Sequence, residues 1–344
     1  MATKRPTIVD VAKKAGVSKS LVSLVMREAP GVSDERRAMV LRAADELGYR
    51  VNFAARSLTA NPRSGKLVGF VIRDLEQPWA SDVVDIIKPI IEDAGYTVLL
   101  TLFSPTNGSR RLDFSALDVL RDLRVTGLVF IGSMHDHPAL NRVDFARAVV
   151  YSGWGPDGPT ADAVRGNDQL GLQLVVDHLV GLGHRRIVHV SGIPGAVATD
   201  RADGYRRAMQ RHGLREHLSV IQADYTISAG YAAAMHLLRD NPEPPTAITC
   251  ADDMSAMGVM SAVAHLGLDV AVTGYDNIAM SALSQIDLTT VDQNNAEMAE
   301  RSARALLARL EQPGAPFMTD VVRPRLVVRG SSFRGVTASG PSPA

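Results

Sequence analysis

The sequence is poor in cysteine, in aromatic residues and in long apolar runs. Its one cysteine, Cys250, excludes a disulfide within the chain. The apolar run from Thr246 to Ala251 around it points to a small buried strand residue rather than a reactive thiol. No apolar stretch reaches the length needed to span a bilayer, and the opening MATKRPTIVDVAKKA lacks the hydrophobic region of a secretory signal, so a cytoplasmic location is expected. There is no glycine-rich phosphate cradle, nucleophile constellation or metal spacing to support an enzyme, and no cofactor is expected. His135, Asp136 and His137 alternate possible metal ligands in a loop, but a site would need further partners, so no metal is expected either.

The net charge of zero conceals an asymmetry. Residues 1–66 hold 13 Lys plus Arg against 6 Asp plus Glu, while the remainder holds 24 against 31. The basic end attracts phosphates and makes binding salt-dependent, whereas the acidic remainder would be repelled from nucleic acid. At 344 residues, 46% of them hydrophobic, the chain is globular and too long for one ordinary core. Two or three folding units are expected.

The basic end carries the most informative pattern, TIVDVAKKAGVSKSLVSLVMREAPGVSDERRAMVLRAADEL from Thr7 to Leu47. Ile8, Val11 and Ala12 make one apolar face, Gly16 allows the positive φ of a tight turn, and Ser18 is placed to cap a second helix starting at Lys19. Val22 and Val25 then face inward, with Lys19, Ser20, Ser23 and Leu24 outward. A third helix opens at Ser33 and runs to Gly48. The pattern predicts a helix-turn-helix that places a short helix in the major groove; an ordinary three-helix bundle is the bland alternative.

Beyond Leu58, the polar stretch Thr-Ala-Asn-Pro-Arg-Ser-Gly-Lys reads as a linker. Strands are expected at LVGFVIRD, YTVLLTLFS and GLVFIG, with helices over Ala80 to Ala94 and Arg110 to Leu123 between them. A second series begins near Asn167, with helices over Gln169 to Gly181, Ala202 to His212 and Ser228 to Leu238, and strands at RIVHVSG, SVIQA and AITCAD. Alternation of this kind predicts parallel sheets covered on both faces, in two doubly wound halves. Met254, Met257 and Met260 at helical spacing read as core or subunit interface, and His184 as a helix-end hydrogen-bonding group.

Several spaced strings together resemble the LacI/GalR family of bacterial transcription regulators. They are the helix-turn-helix, the hinge-like YRVNFAARSLT ending at Thr59, GHRRI from Gly183, ATDRADGYRRAM around Arg201, CADDMSAMG from Cys250, VTGYDN around Asp276 and RPRLVVRGSS near the end. The resemblance covers nearly the whole chain. It implies an all-α helix-turn-helix domain over 1–50, a hinge helix and linker over 51–66, and an effector-binding core over 67–335 of periplasmic-binding-protein-like fold. Within that core the first subdomain is set at 67–165 and 293–322, the second at 166–292 and 323–335. Two placements of a strand at Leu326 to Arg329 compete: these boundaries put it in the second subdomain, while counting three crossings of the chain returns it, with Asn295 to Leu310, to the first. The tail over 336–344 is expected to be disordered, and its lack of leucine heptads argues against a zipped tetramer and for a dimer.

Carried over by position, Lys19 and Ser20 are the expected base readers, with Ser18 and Ser23 at phosphates and Thr7 at the same interface. Leu24 is a departure, since many relatives carry an arginine there; leucine offers only apolar contact, for instance with a thymine methyl. Asn52, Ala55 and Leu58 match the hinge helix, which presses into the minor groove at the dyad, with Leu58 as the wedge. The alternative for Leu58 is packing against the first core strand. Two symmetric hinges imply a pseudo-palindromic operator.

The resemblance also implies a small-molecule effector, of which a carbohydrate is favoured, in the cleft between the two halves. Asp276, after the strand AVTGY, would accept bonds from vicinal hydroxyls. Arg201, taken to begin a helix, would donate to ligand oxygens. The bland alternative is a surface ion pair between them. Trp79 and Tyr225 are the expected aromatic walls, with core packing the other reading for Trp79. Asp252 stands where relatives often have asparagine, and an ionised carboxylate only accepts, so this position favours hydroxyl donors and disfavours anions. The connection AHLGLDVAVTGYD is shorter than usual, requiring a tight loop or an early helix end. A purine-like co-repressor is the second ligand reading. A solute-binding protein shares the two-lobed fold, but the basic helix-turn-helix opposes it.

Overall fold

A computed structural model describes residues 6–26, 29–49, 66–72, 77–102, 115–133, 143–156, 160–239 and 241–335. The chain divides into two units, Met1–Gly65 and Lys66–Ala344. In the first unit, three helices among the described residues pack together: α1 (Ile8–Ala15), α2 (Lys19–Met26) and α3 (Asp34–Glu46). Thr7 starts α1 through a capping box: its backbone amide donates to Asp10 Oδ2 at 2.8 Å while its hydroxyl accepts from the Asp10 amide. Gly16, at φ 65°, ends α1, and the Val17 amide closes back onto Ala12. Helices this short do not persist alone in water. They hold because Val11, Ala12, Ala15, Val22, Val25, Val40, Ala43 and Ala44 are buried together, and such small side chains let the axes approach closely.

The second unit contains two six-stranded sheets. The first has the order β11-β5-β4-β3-β1-β2, built from β1 (Leu67–Ile72), β2 (Thr97–Leu102), β3 (Gly127–Ile131), β4 (Ala148–Ser152), β5 (Asp162–Gly166) and β11 (Thr319–Val322). The second has the order β12-β10-β9-β8-β6-β7, built from β6 (Ile187–Ser191), β7 (Val220–Gln222), β8 (Ala247–Cys250), β9 (Ala271–Tyr275), β10 (Thr289–Asp292) and β12 (Arg325–Val327). Every residue of β1, β3, β6, β8, β9 and β10 is buried, as strands covered on both faces require.

Helices α4 (Pro78–Asp93) and α10 (Asn295–Glu311) cover one face of the first sheet through Val83, Ile87, Met298 and Leu306, and α5 (Ser115–Asp122) covers the other. Around the second sheet, α6 (Asp168–Gly181) and α7 (Ala196–Arg211) share one core, while α8 (Ile227–Leu238) and α9 (Asp253–His265) share another. The α8 and α9 backbones meet closely at Gly230 and Gly258: a Cβ on Gly258 would collide with the Ile227 carbonyl.

The chain passes between the sheets after β5, after β10 and after β11. The last return is fixed by a buried, two-pronged ion pair: Arg309 Nε and Nη2 lie 2.8 and 2.9 Å from the two oxygens of Asp162, and the Met318 amide donates to the same carboxylate at 2.9 Å.

Several expectations need correction. The strand at Leu326 joins the second sheet, where Leu326 pairs with Val291, so its placement in the first half is wrong. It also runs antiparallel to β10, entering the second sheet two residues after β11 leaves the first. Helix α7 begins at Ala196, so Arg201 lies inside it; the cap is Gly195, which gives no polar capping signal in sequence. Strands β4, β5, β10 and β11 have no counterpart among the expected strands. The short connection before Asp276 is a tight turn and not an early helix end: α9 runs to His265, Gly267 takes φ 65°, and the Leu268 amide returns to the Val263 carbonyl. No helix among the described residues is long and apolar enough to cross a membrane.

Candidate nucleic-acid interface and ligand cleft

Helix α2 divides its residues by face. Val22 and Val25 are buried, Lys19, Ser20 and Leu24 are exposed, and Ser23 is half-buried on the outward side. Ser18 uses its hydroxyl to accept from the Leu21 amide at 3.2 Å and so caps the helix that carries these residues. Thr7 is occupied by its own capping box. The segment with Asn52, Ala55 and Leu58 lies outside the described residues, as do His135 to His137 and the tail from 336.

In the core, Arg201 is the centre of a buried polar cluster. It is 5% exposed, so the bland reading of a surface ion pair fails. Its Nε donates to Asp168 Oδ1 at 2.8 Å, its Nη1 donates to the Ala251 carbonyl, and its Nη2 lies 3.5 Å from Asp276 Oδ1. The guanidinium stacks on Tyr275 at 3.6 Å from the ring centre. Burial opposes its charge, but Asp168 and Asp276 more than restore it, so the group stays protonated.

Asp276 sits just after β9 with φ 102°, a conformation that costs a residue with a Cβ of order 1–3 kcal/mol and persists only where neighbours hold it. Its amide donates to Val291 O at 2.8 Å and its Oδ1 accepts from Gln293 Nε2 at 2.6 Å. Burial pushes this carboxyl well up, with Arg201 opposing. The next residue, Asn277, accepts from Arg329 Nη2 at 2.8 Å, which ties the turn to the segment following β12.

Asp252 and Asp253 open α9. Asp252 caps it, accepting from the Ser255 amide at 2.9 Å and from the Ser255 hydroxyl with Oδ1; its Oδ2 is buried and has no hydrogen-bond partner among the described residues. Burial raises its pKa against the pull of those bonds. Asp253 accepts from the Ile278 amide at 2.9 Å and from Thr290 Oγ1 at 2.5 Å, and burial pushes it up to about 7.

Tyr225 lies over Gly192, where any Cβ would enter its ring. Burial pushes its hydroxyl up to about 12, and Arg201, Asp252, Asp168 and Asp276 all act on it, so it belongs to the same cluster. Its carbonyl accepts from Gln77 Nε2 at 3.2 Å, a bond that joins the start of α4 in the first lobe to the second lobe. Trp79, on the first turn of α4, is half-buried, packs against the first-sheet core and faces Gly132. The structure thus gathers Arg201, Tyr225, Asp252 and Asp276, and gives Trp79 no direct bond to them.

Sequence reasoning missed Asp168, Trp154 and Gln293. Trp154 donates to Asp168 Oδ2 at 2.9 Å and is itself stacked by Arg165 at 3.9 Å. As one of two tryptophans it carried the same signal as Trp79. Asp168 and Gln293 each lie at a crossing between the sheets, a property visible only from topology. His184 contacts Thr246 Oγ1 at 3.0 Å near the end of α6, in keeping with a structural role.

Comparison with known proteins agrees with this arrangement. Residues 7–52 match the bacterial regulatory proteins of the lacI family, and residues 176–332 match a periplasmic binding protein-like domain. The HTH-type transcriptional regulator reg1 of Streptomyces lividans is 33% identical across 97% of this chain and 97% of its own length. Among solved structures, the lac repressor dimer bound to operator and the anti-inducer ONPF is 26% identical, covering 96% of this chain and 100% of that one with a TM-score of 0.78. The complex of the transcriptional regulator CelR with cellobiose is 26% identical, covering 95% and 100%, with a TM-score of 0.69. A helix-turn-helix with a capped, outward-facing second helix is therefore joined to a two-lobed α/β core, and the chain belongs to the LacI family of DNA-binding transcriptional repressors.

Proposed function

We propose that this repressor acts as a homodimer on a pseudo-palindromic operator, and that a small ligand, a sugar or sugar derivative held between the core lobes, sets its operator affinity. The observation that carries the ligand reading is the buried cluster of Arg201, Asp168 and Asp276 at the strand ends of the second lobe, with an oxygen of Asp252 that has no partner among the described residues. Directional donors and acceptors fixed in a dry setting suit a polyol, whose hydroxyls both donate and accept. Trp79 and Tyr225 offer flat faces for its apolar side. The CelR relative was solved with a carbohydrate, cellobiose. On the DNA side, Lys19 and Ser20 read bases, Thr7, Ser18 and Ser23 support phosphate contacts, Leu24 meets an apolar base edge, and Asn52, Ala55 and Leu58 serve the minor groove.

The ligand acts by binding the two forms of the core unequally and is not turned over. The gatekeeping step is lobe closure, for which the Gln77 bond to Tyr225 is one latch. Selection from a random palindromic DNA pool, with and without sugars, sugar phosphates and nucleobases, tests the proposal. A symmetric site weakened by one sugar is the expected result; a site strengthened by a nucleobase would mean a co-repressor, and no selected DNA would overturn the operator assignment.

A further inference from the structure

We infer that the cleft takes an uncharged or amine-bearing sugar and rejects phosphorylated and other anionic sugars, with Asp252 as the residue that makes this choice. The inference rests on the effector reading above. Three carboxylates, Asp168, Asp252 and Asp276, are 2%, 1% and 5% exposed, and the guanidinium among them, Arg201, is already committed to Asp168 and to the Ala251 carbonyl, with Asp276 beside it. The next guanidinium, Arg165, is stacked on Trp154 and lies 3.9 Å from Asp200. Asp224 adds a further carboxylate acting on Asp252. Among the described residues both guanidiniums beside these carboxylates are thus already engaged, so a phosphate entering here would have to break an existing pair in a setting where water screens little.

Asp252 makes the preference specific. Capping α9 needs one acceptor oxygen, and Oδ1 supplies it to Ser255. Asparagine or serine would cap as well, so the cap explains neither the charge nor the second oxygen. That oxygen, Oδ2, is shut away from solvent without a donor among the described residues, a costly condition for a carboxylate. Asp252 directly follows Ala251, whose carbonyl accepts from Arg201, so it adjoins the residue that anchors the cluster. A ligand hydroxyl, or better an ammonium group, satisfies it; an anionic group does not.

The test uses the full chain and matched probes: glucose, ribose, galactose and cellobiose, their amino derivatives where these exist, and the corresponding sugar phosphates, measured by thermal shift and titration calorimetry. We expect a free or amino sugar to bind at least about 10-fold tighter than its own phosphate. Asp252→Asn should narrow that ratio by roughly 10-fold, and Asp252→Ser, which keeps the cap, should do likewise. A phosphate that binds as tightly as its parent sugar, or a ratio unchanged in both variants, overturns the inference while leaving the ligand cleft in place. Failure of every sugar in any form to bind overturns both the inference and the sugar-effector reading.

Discussion

Replacing Asp253 by asparagine should make the second lobe less sensitive to alkaline pH. The carboxyl is 1% exposed and is raised by burial from an ordinary value of 3.8 to about 7. In the unfolded chain it ionises near pH 4, so between about pH 4 and about pH 7 the folded lobe binds the extra proton and is favoured by it. This contribution is full below the unfolded pKa and is lost as pH rises through the folded one. Each tenfold difference in proton affinity is worth about 1.4 kcal/mol, which gives about 4 kcal/mol over the whole range and about 3 kcal/mol between about pH 5 and about pH 8.

Asparagine preserves the local bonding, since its oxygen accepts from the Ile278 amide and its amide group donates to Thr290 Oγ1, but it has nothing to titrate. Urea unfolding of parent and variant, followed by circular dichroism across this range, isolates the effect, because Asp252 and Asp276 titrate in both proteins. The stability of the variant relative to the parent should rise by about 3 kcal/mol from about pH 5 to about pH 8. A constant difference would refute the assignment of the buried charge to Asp253.

Leu24→Arg should shift the preferred half-site toward guanine at one position, with about 1–3 kcal/mol of discrimination, and an unchanged preference in a selection from random sequence would count against α2 as the reading helix. Asp162→Ala leaves Arg309 buried without its partner and should cost about 3–5 kcal/mol, read as a lower unfolding midpoint. Gly258→Ala drives a methyl into the Ile227 carbonyl and should cost roughly 3 kcal/mol by thermal unfolding, the upper end for overpacking; a neutral effect would mean that α8 and α9 are not held as close as described.

Much of the architecture was legible because it depends on short-range patterns. The spacing of Val11, Ala12, Val22 and Val25, the turn at Gly16 and the run LVGFVI are each written within a few residues. The family strings then pointed to Arg201 and Asp276 without showing what they touch. What was missed depends on distant partners. Asp162 meets Arg309 147 residues away, and the short charged string DAVRG has no local sign of being a buried strand. Asp168 and Gln293 matter because the chain crosses between the sheets beside them. The start of α7 was set too late because Gly195 carries no capping side chain. Asp252 reads in sequence as an acceptor, and its division into one capping oxygen and one without a partner among the described residues required the fold.

The threefold exchange of chain between the sheets has a consequence for biosynthesis. β11 and β12 come from residues 319–327, and each completes an edge of a different sheet, next to β5 and β10 respectively. Until that segment leaves the ribosome, β5 and β10 each present an unpaired row of backbone groups, and Asp162 lacks its bond from the Met318 amide. Neither lobe can therefore finish folding before that segment has emerged, and a nascent polypeptide already able to form its helix-turn-helix would until then carry two open sheets. Premature termination before residue 319 should yield a product that aggregates or is degraded, rather than one that occupies DNA without responding to a signal.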